Sequence, residues 1–175
     1  MNTIFLILAS FAVFAIYNIA VVCKWGFPTS LSATFYSFEG LWRWLFTAMM
    51  FTTSFLLMPA WIELASGFGD WRDNLAFLSF LTCALICFVG AAPHFRSCEL
   101  ESKVHTISAT ASAVTALAWC LVCGWQVMYI PIASAVLVLG VALMTKTIKA
   151  CKVYWLEMMA FVATFATVGF LTLTN

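Results

Sequence analysis

Charge is scarce in this chain. Among 175 residues there are eight Lys and Arg and seven Asp and Glu, a charged fraction of 9% and a net charge of +1. Soluble domains carry roughly a quarter charged residues. With no basic run either, the electrostatic footprint of a nucleic-acid-binding surface is excluded. Histidine is scarcer still: two residues leave too few imidazoles for a three-histidine membrane hydrolase of the alkaline-ceramidase type. There is no linker rich in Pro, Gly or Ser, no low-complexity tract and no internal repeat, so residues 1–175 read as one domain.

What fills the chain is apolar: 65% hydrophobic residues and a mean hydropathy of +1.05. A helix crossing about 30 Å of hydrocarbon takes about 20 apolar residues. Six such runs are expected, at about Ile4–Val22, Leu41–Ala60, Leu75–Pro93, Thr106–Gly124, Pro131–Thr145 and Val153–Thr172. They are too long, and too free of in-out alternation, for barrel strands. The fold expected is therefore all-α, a six-transmembrane-helix bundle with short loops. The first run lacks the basic residues that precede the apolar core of a signal peptide and reads as a retained helix.

Six crossings put Lys24, Arg43, Arg96, Lys103, Lys146, Lys149 and Lys152 on one face and only Arg72 on the other. By the positive-inside rule the first face is cytoplasmic, which predicts an inner (plasma) membrane protein with both termini extracytoplasmic. Trp25, Trp42, Trp44, Trp61, Trp71, Trp125 and Trp155 lie near span ends as an interfacial belt, with Trp119 alone inside a span. Ser108, Ser112 and Ala116 form a small-residue ladder that would make the fourth helix the bundle centre. Phe5, Phe11 and Phe14 would face lipid. Pro59 and Pro93 would close the second and third helices, and Pro131 would open the fifth.

The chemistry concentrates at the basic end. Arg43, His94, His105 and Glu157 all fall there, with Asn18 near the same level, and ionisable groups in a membrane face inward and pair. Arg43 and Glu157 are expected to reach one another or a shared partner. His105, Ser108 and Ser112 share one helical face. The connection from Cys23 to Gly40 contains Ser30-Leu31-Ser32-Ala33-Thr34-Phe35-Tyr36, too apolar for a free aqueous loop; it either lies in the interface as a spacer or folds back to line a site. A polar pocket follows, lined by His94, His105, Ser108, Ser30, Ser32 and Tyr36, with Arg43 and Glu157 beside it. It would bind a lipid headgroup, a small ligand or a partner helix. The plainer account is that Arg43 and Glu157 form a structural ion pair or snorkel to the headgroups, with both histidines in wet loop ends.

No catalytic residue, metal ligand or cofactor is assigned. A lipid hydrolase using His94, His105 and a carboxylate from Glu99, Glu101 or Glu157 is one alternative, although no H-E-x-x-H spacing supports it. An oligomeric channel or small transporter is another. Against a pore, Thr52, Thr53, Ser54, Thr110 and Thr115 offer only hydroxyls at mid-membrane depth. Cys120-Leu-Val-Cys123 is a C-x-x-C, but no second cysteine pair shares its face, so packing is its expected role. Membrane lipids, further copies of the chain or a partner membrane protein are the expected associates.

Two segments carry a resemblance. Ile86-Cys87-Phe88-Val89-Gly90-Ala91-Ala92-Pro93 and Val104-His105-Thr106-Ile107-Ser108-Ala109 resemble a pattern in small uncharacterised six-helix membrane proteins of bacteria and their mobile elements. The pattern is also similar to the DRAM and Frag-type membrane families, in which a helix opens on a His followed by small residues. Ser30–Tyr36 resembles a serine- and tyrosine-bearing segment of the bacterial group, with Ala33 and Phe35 replacing more polar residues. The resemblance runs from Phe27 to Ala113. It implies no activity, only that His105 and Ser30–Tyr36 belong to one site.

Overall fold

A computed structural model describes residues 2–123 and 125–174. Six α-helices account for most of them: α1 (Thr3–Trp25), α2 (Leu45–Ala65), α3 (Ala76–Ala91), α4 (Glu99–Val122), α5 (Tyr129–Met144) and α6 (Lys152–Thr174). No strand occurs among the described residues. Helices suit a chain with apolar runs this long, because each satisfies its own backbone polar groups without water. Five spans are long and apolar enough to cross a membrane; α5, with 16 residues, is shorter. The protein is a membrane-embedded helical bundle.

Capping fixes the first helix at both ends. The Asn2 side chain accepts a hydrogen bond from the Ile4 amide at 3.1 Å, and Gly26, at φ 79°, turns the chain out of α1 while its amide bonds Val22 O at 2.9 Å. Helix α4 begins at Glu99, well before the apolar run that starts at Thr106, because hydropathy does not register a charged first turn. Glu99 and Glu101 suit the positive end of the helix dipole, and Glu99 pairs with Lys103 at 2.7 Å. The expected end of that span at Gly124 lies outside the described residues, as does Asn175.

Helices α1 to α4 pack in sequence, each on the next, and α6 closes the ring by touching α4, α1 and α2. Helix α5 sits outside the ring, against α6. The most enclosed helix is α2, with ten buried residues, not α4, which buries only the stripe His105, Ser108, Ser112, Ala116, Trp119 and Cys120. Helix α2 has neighbours on three sides; α4 keeps one face for lipid. Close approach of α2 and α3 depends on Gly90, where a Cβ would stand 2.9 Å from that of Met50, and Thr47 Oγ1 bonds Gly90 O at 2.8 Å.

Three further expectations are corrected. Pro59 does not close α2 but lies inside it, since a membrane helix tolerates one missing amide. Phe14 does not face lipid: it stacks on Phe161 of α6 with centroids 4.5 Å apart, whereas Phe5 and Phe11 are exposed. Trp61 and Trp155 are buried rather than interfacial, Trp61 edge-on to Trp119 at 5.3 Å; Trp25, Trp42, Trp44, Trp71 and Trp125 are the exposed ones.

Candidate functional site

The connections after α1, α3 and α5 meet at one end of the bundle. Tyr154 N–H donates to Thr29 O at 3.1 Å, the Cys151 thiol to Phe27 O at 3.4 Å, and Arg96 N–H to the Tyr36 hydroxyl at 3.0 Å. At the other end Thr3 Oγ1 bonds Glu63 at 2.9 Å, and an Arg72 N–H donates to Cys123 O at 3.3 Å. The helices therefore alternate in direction, which gathers seven basic residues at one end of the bundle.

The Ser30–Tyr36 segment folds back into that basic end. Leu31 to Phe35 are all buried, and Ser32–Tyr36 forms a 3-10 helix. A peptide segment can enter an apolar bundle only if its polar groups find partners there. Here they come from four directions. From α4, His105 Nε2 lies 2.6 Å from Ser32 Oγ. From α6, a Glu157 carboxylate oxygen accepts the Leu31 amide at 2.7 Å. From α1, the Tyr17 hydroxyl meets Thr34 Oγ1 at 2.5 Å. The fourth contact is within the segment, where Ser30 Oγ accepts the Ala33 amide at 3.0 Å.

His105 is held at both nitrogens. Its Nδ1 lies 2.9 Å from the carbonyl of Ala92, which can only accept, so Nδ1 carries the proton and Nε2 of the neutral ring receives the Ser32 hydroxyl. Phe95 stacks on the imidazole with centroids 4.5 Å apart. Ser108 lies buried one turn further along the same face.

His94 is separate from this pair. Its ring meets the edges of Phe35 and Trp44 at 5.1 and 5.9 Å, and its amide donates to Glu101 at 2.8 Å, with Nδ1 3.5 Å from the same carboxylate. Arg43 and Glu157 form no ion pair. The guanidinium stands 5.6 Å from the Phe35 ring centre, with Nε buried and unbonded, while Glu157 takes Leu31 N–H. The folded-in segment separates the two, which is why the expected pair does not form. Among the described residues no three His, Cys, Asp or Glu side chains converge as a metal site.

Tyr17 completes the constellation without having been singled out for it, whereas Thr34 belongs to the segment already named and Glu101 was one of three candidate carboxylates. Tyr17 directly precedes Asn18, whose side-chain amide instead bonds Phe14 O of its own helix at 2.8 Å. Only the depth of Tyr17, matching that of the next connection, signals its role in the sequence. The C-x-x-C pair is packed in the bundle: Cys120 and Cys123 are free and buried.

Beneath Leu31 lies a cavity of about 60 Å³ between α2, α3, α4 and α6. Trp61, Phe161 and Phe165 contribute aromatic walls, Ser112 and Thr164 hydroxyls, and Glu157 the single ionisable group. Set against protein-family profiles, curated proteins and solved structures, the chain has no match.

Proposed function

We propose that the chain is a non-catalytic binding protein of a bacterial inner membrane, its basic end cytoplasmic and both termini outside, which holds a small cationic ligand against Glu157. The observation that supports the ligand is that carboxylate: it lies at the wall of a largely apolar cavity with one backbone amide as partner and no ion pair among the described residues. Aromatic residues in the cavity wall, Trp61, Phe161 and Phe165, favour an ammonium group. Size narrows the choice among headgroup, partner helix and small molecule. Drug-sized sites run to about 300–1,000 Å³, whereas a single water needs about 10–15 Å³. A space of about 60 Å³ suits only a few non-hydrogen atoms. His105, Ser32, Ser30, Ser108, Tyr36, His94 and Arg43 then serve to hold the cover over the cavity. The resemblance to small six-helix bacterial membrane proteins agrees in assigning His105 and Ser30–Tyr36 to one site.

The purified protein in detergent should gain thermal stability with methylammonium or ethylammonium and not with the corresponding alcohols. Glu157→Gln keeps an acceptor for Leu31 N–H but should abolish that difference. Equal shifts with amine and alcohol would reject the ligand class. The orientation rests on seven basic residues against one. In a background lacking native cysteines, Gln126→Cys should react with an impermeant maleimide on intact cells and Lys149→Cys only after lysis; the reverse pattern would invert the topology.

A second reading, an acyl-transfer enzyme, is favoured by one observation. Ser32 Oγ, His105 Nε2 and an orienting acceptor on Nδ1 reproduce a nucleophile, a base and its holder. It differs from the two-histidine hydrolase suggested by the sequence, because His94 takes no part, and Ser32 is buried. Covalent labelling by a fluorophosphonate, lost in Ser32→Ala, would decide for it.

A further inference from the structure

A second, larger hollow lies on the outside of the ring, between α1 and the chain leading into α2, with a volume of about 1020 Å³. It reaches from Val13 and Thr52 at its deep end to Lys24, Trp25, Glu39 and Trp42 at the basic end. Along α1, the rise from Val13 to Lys24 is about 16 Å, half of the roughly 30 Å hydrocarbon thickness. The groove is thus as long as one leaflet is deep. Its walls are mostly apolar, with hydroxyls only at Tyr17, Ser37 and Thr52, and at the mouth the chain places one cation and one anion. Neither has an ion-pair partner among the described residues. The Lys24 ammonium stands 4.5 Å over the Trp25 ring, and Trp42 is 69% exposed beside it, both at the level where headgroups lie.

We propose that this groove binds one glycerophospholipid of the basic-end leaflet through a zwitterionic headgroup bearing a primary ammonium. Its phosphate meets Lys24, its ammonium donates to Glu39, and an acyl chain fills the groove toward Thr52. The two charges at the mouth select the class. A headgroup with phosphate alone satisfies Lys24 and is repelled by Glu39, whereas a quaternary ammonium offers Glu39 no N–H. A second copy of the chain would have to bring an apolar helix and both complementary charges, and α5, the helix left outside the ring, has no charged residue among Tyr129–Met144.

Native mass spectrometry of the full chain with phosphatidylethanolamine, phosphatidylcholine and phosphatidylglycerol of identical acyl chains tests this. Partly solvated charge pairs of this kind contribute about 0.2–1 kcal/mol each, so retention of the ethanolamine lipid should exceed the others by about 1.4- to fivefold. Glu39→Gln should erase the preference over phosphatidylglycerol, and Lys24→Gln should weaken all three. Both positions are exposed, and an unchanged unfolding temperature shows that the fold is kept. Equal retention of the three lipids, a preference that survives Glu39→Gln, or a lipid-free dimer occupying the groove would each overturn the assignment.

Discussion

The two ends of the bundle are held by different kinds of contact. At the basic end, hydrogen bonds join residues far apart in the chain, as from Leu31 to Glu157, Ser32 to His105 and Arg96 to Tyr36. At the opposite end the polar contacts are mostly local. Asp73 takes the amides of Phe68 and Gly69, and Asp70 takes the amide and guanidinium of Arg72. A connection buried in a membrane bundle needs tertiary partners for its backbone, whereas one in the aqueous boundary can satisfy itself and leave the rest to water. The long connection is therefore part of the tertiary core, and the short ones are turns.

The sharpest way to break this comparison is to truncate one aromatic residue at each end. Phe35 is wholly buried against Tyr36, Trp44 and His94. Phe35→Ala should cost about 3–5 kcal/mol, the loss typical of a helix core despite its place in a connection. Phe68, partly buried under the Arg72 guanidinium at 4.2 Å, should cost about 0.5–2 kcal/mol on the same change. Thermal unfolding in micelles measures both, and equal losses would show that the two ends are alike.

Next in size is the latch. His105→Ala leaves the Ser32 hydroxyl and Ala92 carbonyl without a partner and should cost about 1–3 kcal/mol, with faster hydrogen exchange at the Thr34 and Ser37 amides. In a cycle with Ser32→Ala the coupling should be about 0.5–3 kcal/mol; additive losses would mean that the pair does not act as a unit.

The smallest effect is expected at the opposite end and depends on pH. Hydrogen bonds from Arg72 hold the Asp70 carboxyl below its ordinary value of 3.8. A lowered folded value means that the unfolded chain binds the proton more readily. The stabilisation is therefore complete above the ordinary value and is lost as pH falls through the lowered one. Asp70→Asn should flatten the unfolding curve only below pH about 4, and an unchanged profile would show that the pair contributes nothing.

Much of the fold is legible in the sequence because hydropathy reports what lipid demands of each span. Helix ends are less so, as Glu99 and Pro59 show: intrahelical hydrogen bonding ignores both the charge of a first turn and a single missing amide. The stripe His105, Ser108, Ser112 was visible as a periodicity, since side chains three and four apart must share a face. Its partner was not. Whether Ser32 meets His105, or Arg43 meets Glu157, depends on how a seven-residue segment turns between helices, and no local pattern encodes that choice. Tyr17 illustrates the same limit, because its value lies in the depth at which it meets Thr34 rather than in its neighbours.

Burial of the Ser30–Tyr36 segment also orders the protein's birth. Leu31 leaves the ribosome 126 residues before Glu157. At about 5–20 residues per second, the segment waits about 6–25 s for its final contact. Throughout that time α1 and α2 are inserted while the amide of Leu31 lacks its acceptor, so the nascent chain needs water or a translocon component at this spot until α6 arrives. A chain released short of α6 would carry α1 to α5 and an unsealed end, which is the state that membrane quality control would be expected to meet.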